Sequence, residues 1–182
     1  MTVKPAGESD AREIAAVLRA NRADRTLLRR SEKDIGRHLT DFLVARGGTG
    51  RVVGCAALHD HGDGLGETLS LAVDPACQRL GIGSRLVREC ISRAPGRGLP
   101  RLWLATAKAD FFARFGFAPI SMWSLPTWVL LAKLKMVLTQ RPTYWLPAVF
   151  TRYTFMMRET GRPRSTLPSD QTQPDPLSVV RP

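Results

Sequence analysis

The stretch from residue 65 to residue 94, LGETLSLAVDPACQRLGIGSRLVRECISRA, constrains the fold more than any other part of the chain. Residues 65–73 read as a strand, and Asp74-Pro75 ends it, because proline cannot donate to a sheet ladder. A turn, QRLGIG, follows, and a helix opens near Gly83 with Leu86, Val87, Cys90, Ile91 and Ala94 along one face. A helix N-terminus leaves backbone N–H groups without intrahelical acceptors and carries partial positive charge. Gly81 and Gly83 lack Cβ atoms, so an anion can approach these amides, and Arg79 and Arg85 add formal charge. The unit therefore reads as a cradle for a pyrophosphate. Its spacing is not GxxxxGK[ST]. It is also not GxGxxG, because Leu86, after Arg85, stands where the third glycine would be expected.

The other segments arrange themselves around this unit. Ser9 and Asp10 precede a helix running to about Ala20, and Asp10 with Glu13 has capping-box spacing. A second helix starts at Ser31, where Ile35, Leu39, Phe42 and Leu43 follow helical spacing. Gly47 to Gly50 forms a turn, residues 51–58 a buried strand, and residues 59–64 (HDHGDG) a hairpin tip leading into the strand at 65–73. Beyond the cradle helix, residues 102–106 form a strand and 109–115 a short helix capped by Gly116. Residues 117–122 form another strand. A helix is expected at 127–138 with Leu130, Leu131, Leu134, Val137 and Leu138 on one face and Trp128, Val129 and Met136 on the far side. Its apolar back needs a cover, from substrate, a second subunit, a membrane surface or its own domain. Residues 144–150 and 152–158 read as closing strands. Residues 159–182 lack periodicity and read as a disordered tail behind one domain at 1–158.

Composition narrows the class. With 182 residues, 43% of them apolar and 24% charged, the chain can bury a core in a single domain. Three scattered cysteines, Cys55, Cys77 and Cys90, make neither a disulfide framework nor a zinc site. A net charge of +11 favours anionic partners: nucleic acid, an acidic membrane or a phosphorylated cofactor. No helix-turn-helix, zinc finger or RNA-binding aromatic motif accompanies the charge, so no nucleic acid partner is expected. The N-terminus lacks the apolar core of a secretory signal. No run approaches 18 uncharged apolar residues, Lys133 and Lys135 breaking the best one. The expectation is a cytoplasmic protein without an integral membrane span.

The order LSLAVDPACQRLGIGSRLV resembles the pyrophosphate motif of the GCN5-related N-acetyltransferase (GNAT) family, with Gln78, Gly81 and Gly83 at the matching positions. FFARFGF at 111–117 resembles the family's second motif, and the element order is similar too. The resemblance implies an α/β (α+β) acyl-CoA N-acyltransferase fold, a central mixed, mostly antiparallel sheet flanked by helices. It also implies acetyl-CoA as co-substrate. The backbone of Leu71, Ala72 and Val73 would pair with the pantetheine arm. The turn of Gln78, Arg79, Leu80, Gly81, Ile82, Gly83 and Ser84 would hold the diphosphate, and Phe112 would lie against the cofactor. RVVGCAALH, LSLAVDP and FFARFGF look most like the amino-acid N-acetyltransferase branch, which includes short acetylglutamate synthases. Leu69 departs from that branch, standing where it carries an arginine suited to a substrate carboxylate, and the region after Ile120 is longer and more apolar.

The implied reaction moves an acetyl group to a primary amine of a small molecule by direct attack in a ternary complex. An attacking amine must lose a proton, and Glu67, at the start of the cofactor strand, is the candidate base, acting through water; the alternative is an edge-strand glutamate in an ion pair. A backbone N–H near Leu71 would polarise the thioester carbonyl. Phe112 occupies the place of the family's usual tyrosine acid and cannot donate a proton, leaving water, another residue such as Tyr144, or no acid at all. Arg25, Arg29 and Arg30 precede the second helix, where they can bind a carboxylate or simply form a solvated basic face. His59 and His61 read as a polar turn rather than a metal site, and no metal is expected. A protein or peptide acetyltransferase, a non-catalytic acyl-CoA-binding module and a homodimer stay open at this point.

Overall fold

The computed structural model describes residues 2–21, 30–131 and 153–161. Its elements are β1 (Val3–Pro5), α1 (Ala11–Ala20), α2 (Glu32–Arg37), β2 (Phe42–Arg46), β3 (Val52–Asp60), β4 (Leu65–Val73) and α3 (Ile82–Arg93), followed by β5 (Arg101–Thr106), α4 (Ala109–Ala113), β6 (Ala118–Ile120) and β7 (Thr154–Glu159). The strands form a seven-stranded sheet in the order β1-β2-β3-β4-β5-β7-β6. Among the described residues the β4–β5 pairing is the parallel one and the other pairings are antiparallel. This is the mixed, mostly antiparallel sheet expected from the sequence.

Two cores lie on opposite faces of the sheet. On one, Leu86, Val87 and Cys90 of α3 meet Leu43, Ala45, Ala56, Leu58, Leu102 and Leu104. On the other, Ile14, Val17 and Leu18 of α1 and Ile35 of α2 meet Phe42, Val44, Cys55, Ala57 and Ala72. Each fully buried Val, Leu, Ile or Phe side chain among them contributes about 1.5–3 kcal/mol. A third cluster joins Leu65 and Trp103 to Leu125 and Val129.

Three expectations fail in instructive ways. The second helix stops at Arg37, and Phe42 and Leu43 belong to β2, flanked by β1 and β3. Phe42 and Val44 point to one core while Leu43 and Ala45 point to the other. A strand buried on both faces reads as a continuous apolar run, and here its spacing from Ile35 happened to mimic a helix. The Asp10–Glu13 capping box does not form. The Asp10 carboxylate accepts from the Gly7 N–H at 2.9 Å and pairs with Arg46 at 2.6 Å, while Glu13 accepts from the Val52 N–H at 2.6 Å. Both acids thus tie α1 to the sheet. In the helix that begins at residue 127, the buried side chain is Val129, expected on the far side, whereas Leu131, expected on the apolar face, is exposed. The cover for Val129 is the Leu65–Trp103 cluster of the same domain. The tail expected from residue 159 starts later than that: Glu159 ends β7 opposite Arg101, and Thr160 donates to the Leu99 and Pro100 carbonyls. The rest of the helix at 127, the strand expected at 144–150 and residues 162–182 lie outside the described residues.

Gly66 is where β4, β5 and the α3 core press closest. A Cβ there would stand 2.6 Å from Leu102 Cδ2 and 3.0 Å from Leu99 Cδ1, both on buried side chains. Gly66→Ala should destabilise the fold by about 1–3 kcal/mol through overpacking. Urea unfolding reads this directly, and a loss below about 0.5 kcal/mol would show that the contact relaxes freely.

Candidate active site

β4 follows β3 along its length but holds β5 only at Leu65–Arg101, Gly66–Leu102 and Glu67–Trp103. From Thr68 onward β5 pairs only with β7 among the described residues, so the two central strands part. Within the parted stretch, Ser70 and Leu71 together oppose Ala56 of β3, a bulge on β4, and Ser70 has φ of +53°. A bulge turns the strand and redirects the peptide groups beside it. The Thr68 and Ser70 hydroxyls are buried there with no partner among the described residues. A buried hydroxyl left unpaired costs about 1–3 kcal/mol, so this strand suits an extended polar ligand that can bond to it. Leu71, Ala72 and Val73 lie on the same stretch.

The cradle forms at the end of β4. Asp74 accepts from the Ala76 N–H and starts a single 3-10 turn at Pro75–Cys77. The chain then enters the left-handed region twice, at Arg79 (φ +65°) and Gly81 (φ +75°), before α3 begins. Nothing lies within 4 Å of a Cβ placed on Gly81, so that side of the turn is open. The first N–H with a helical acceptor is Arg85, bonded to the Gly81 carbonyl at 3.1 Å. Among the described residues no protein acceptor takes the amides of Arg79, Leu80, Gly81, Ile82, Gly83 or Ser84. Arg79, Leu80, Gly81 and Arg85 are exposed, and Ile82 is buried beneath them. These six amides are thus backbone donors without a protein acceptor among the described residues, the kind of group an oxyanion accepts from.

Sequence reasoning missed two residues that shape this loop. Asn21, at the end of α1, donates to the Val73 carbonyl at 3.0 Å, and Gln78 donates to Asn21 Oδ1 at 3.1 Å and to the same carbonyl at 3.2 Å. Gln78 therefore clasps the loop to β4 and α1. Nothing local in the sequence marks Asn21, because its partner is 52 residues away. The second is Phe111. Its Cζ is 3.6 Å from the Cβ position of Gly83, so this ring packs against the helix start. Phe112 sits in the core on the α3 face of the sheet, against Phe111 and Phe117 at ring separations of 5.0 and 6.0 Å. The second motif thus meets the first through Phe111.

Glu67 stands at the point where β4 and β5 part. It is no edge-strand residue: it is 4% exposed in a central strand, and its Oε2 is 2.8 Å from His61 Nε2. His61 is not a solvated turn residue either, since its side chain is only 9% exposed. β3 also runs on through His59 to Asp60. The spacing His-x-His was a usable signal, because alternate residues near a strand end share a face. His59 Nδ1 contacts Asp41 Oδ2 at 2.7 Å, and Arg97 donates to Asp41 Oδ1 at 3.2 Å. Among the described residues no cluster of three metal-ligating side chains occurs.

Arg30 lies 3.8 Å from Asp34 with its guanidinium over the Phe42 ring at 5.7 Å, so it is already engaged beside α2. Arg29, Arg25 and Tyr144 lie outside the described residues. Leu69 packs against the α1 cluster, consistent with an apolar role. Burial pushes the Cys55 and Cys90 thiols up to about 12, which makes both inert core residues.

The sequence pattern of the Acetyltransferase (GNAT) family matches residues 11–117. The chain belongs to this family. It is 34% identical over 128 residues to an amino-acid acetyltransferase of Neisseria meningitidis, covering 69% of this chain and 29% of that protein. It is 44% identical over 71 residues to an amino-acid acetyltransferase of Mycobacterium tuberculosis, covering 39% of this chain and 41% of the relative. The match thus spans less than half the length of each of these relatives. Among solved structures, a Mycobacterium tuberculosis protein in complex with CoA superposes with a TM-score of 0.72 at 27% identity, over 87% of this chain and 99% of that one. The N-acetylglutamate synthase of Neisseria gonorrhoeae, complexed with coenzyme A and N-acetyl-glutamate, also gives 0.72, at 28% identity over 88% of this chain and 35% of the other. No helix among the described residues is long and apolar enough to cross a membrane.

Asp41 supplies a pH prediction. Burial raises its carboxyl, but hydrogen bonds and charge from His59 and Arg97 outweigh this and hold it below the ordinary 3.8. A carboxyl depressed on folding stabilises the protein above its unfolded value and loses that contribution as pH falls through the folded one. Asp41→Asn should therefore cost about 1–3 kcal/mol at pH 7 and narrow its deficit below about pH 4. Urea unfolding at both pH values measures this; a deficit that does not shrink in acid would contradict it.

Proposed function

We propose that this chain is an acetyl-CoA-dependent N-acetyltransferase acting on the primary amine of a small molecule, an amino acid. The observation that carries the reading is the parting of β4 from β5 directly after Glu67. It leaves a bulged strand edge that runs into a turn whose amides have no protein acceptor among the described residues. An extended pantetheine arm pairs with the backbone of Leu71, Ala72 and Val73, and the diphosphate of the coenzyme sits on the amides from Arg79 to Ser84. That the two solved relatives carry coenzyme A supports the same assignment.

The chemistry follows from the placement. The thioester reaches the strand gap beside the bulge, where the Leu71 N–H donates to its carbonyl oxygen as negative charge develops. The acceptor amine attacks the carbonyl carbon and gives up a proton to Glu67, directly or through one water. The C–S bond breaks, and the thiolate leaves without needing a strong acid, since a thiol ionises far more readily than an alcohol. Phe112 in the core is consistent with a reaction that uses no tyrosine acid. Glutamate is the acceptor suggested by the N-acetylglutamate synthase likeness. Leu69, in apolar packing, supplies no cation for the side-chain carboxylate that distinguishes glutamate. We therefore assign the acceptor as an amino acid without fixing glutamate.

A thiol-release assay across the common amino acids, with isothermal titration of acetyl-CoA alongside, tests the proposal. Release with at least one amino acid is expected. Glu67→Gln should lower kcat by about 10²-fold or more while acetyl-CoA affinity stays within about twofold. Tight coenzyme binding without release from any amine would make the chain a binding module, and no coenzyme binding would end the acetyltransferase reading.

A further inference from the structure

Glu67 is held by a partner that the reaction scheme above does not use. His61 Nε2 lies 2.8 Å from Glu67 Oε2, and the two side chains are 9% and 5% exposed. The imidazole is enclosed by rings: Trp103 of β5 at 5.8 Å, Trp128 of the helix beginning at residue 127 at 5.9 Å, and His59 of β3 at 4.8 Å, the last nearly perpendicular. His59 is itself anchored. Its Nδ1 meets Asp41 at 2.7 Å; Asp41 accepts from Arg97 at 3.2 Å; and Arg97 also donates to the Leu58 carbonyl at 2.6 Å. A line of fixed polar groups thus runs from the turn after α3 to the carboxylate where the central strands part.

A histidine within hydrogen-bond reach of a buried carboxylate is either a packing residue or an orienting one. Two observations favour orientation. The contact is a close 2.8 Å approach of Nε2 to a carboxylate oxygen, and the rings on three sides of the imidazole restrict its swing. A carboxylate that accepts a proton from an amine must be ionised at that moment, and an ionised carboxylate only accepts hydrogen bonds. Nε2 must therefore carry the hydrogen that faces Oε2. A glutamate side chain loses rotamer freedom when fixed, and a partner that fixes it beforehand removes that cost from the reacting complex.

We propose that His61 is the positioning residue of this site, donating from Nε2 to Glu67 Oε2 so that the carboxylate is held in one orientation at the strand junction, with His59, Asp41 and Arg97 as its support. This rests on the acetyltransferase reading of Glu67. Acting through Glu67 and enclosed by rings rather than by the open strand edge, His61 has a role in turnover and not in binding, so its loss should leave acceptor and coenzyme binding alone.

The test is made on the full chain. His61→Phe keeps a flat ring in the aromatic enclosure but removes the donor. It should lower kcat about tenfold or more, with the KM for acetyl-CoA and for the acceptor changing by less than about threefold. His61→Gln retains an N–H donor and should recover most of kcat. Nitrogen-15 shifts of the wild-type imidazole, which need no turnover, should show Nε2 protonated and Nδ1 bare, with that preference weakened in Glu67→Gln. An active wild type with unaltered kcat in His61→Phe, or a kcat equally low in Gln and Phe variants, would overturn the proposal, as would an Nδ1–H tautomer. A wild type that releases no thiol with any amine would instead remove the acetyltransferase reading, and the imidazole shifts would still report whether the Glu67–His61 bond exists.

Discussion

Three parallel register pairs hold the centre of this sheet together, and the site depends on where they stop. Up to Glu67 the peptide groups of β4 are shared between β3 and β5; beyond it they face β3 alone among the described residues. Burying unpaired peptide groups is costly, so a strand left this way inside a domain marks a place for a ligand with its own amides and carbonyls. The bulge at Ser70 and Leu71 and the two unpartnered hydroxyls belong to the same stretch. The tight contacts at Gly66 show why the strands meet closely just before they diverge: only a residue without a side chain fits between Leu99 and Leu102.

The site is assembled from three directions. From β4 comes the open backbone and Glu67. From the turn before α3 come the six amides, on a loop kept in shape by Gln78 and Asn21. From α4 comes Phe111, packed on Gly83 and itself covered by the Arg114 guanidinium at 5.0 Å. A coenzyme with several phosphates is also a physical outlet for part of the +11 charge, since Arg79 and Arg85 lie exposed at the cradle.

What could be read from the sequence was whatever is local. The strand at 65–73, the stop at Asp74-Pro75, the glycine turn and the face of α3 appear where their spacing put them, because chain geometry alone determines them. β2 was hidden because a strand buried on both faces has no alternation, and Ile35 stood at a misleading distance. The acids near α1 looked like a cap and instead serve the sheet, as Glu13 reaches Val52 across 39 residues. Glu67 was legible as a candidate, but its burial and its bond to His61 depend on β5 and the helix at 127 closing over the hairpin end. Asn21 and Phe111 matter only through partners that the fold brings to them.

The central claim is that the free edge of β4 and the loop after it receive a coenzyme. Amide hydrogen exchange with and without acetyl-CoA reads those groups directly. The account predicts slowed exchange confined to Leu71–Val73 and to the amides from Arg79 to Ser84, with the α1 face of the sheet unchanged. Protection that leaves both segments untouched, or falls elsewhere on the domain, would contradict it.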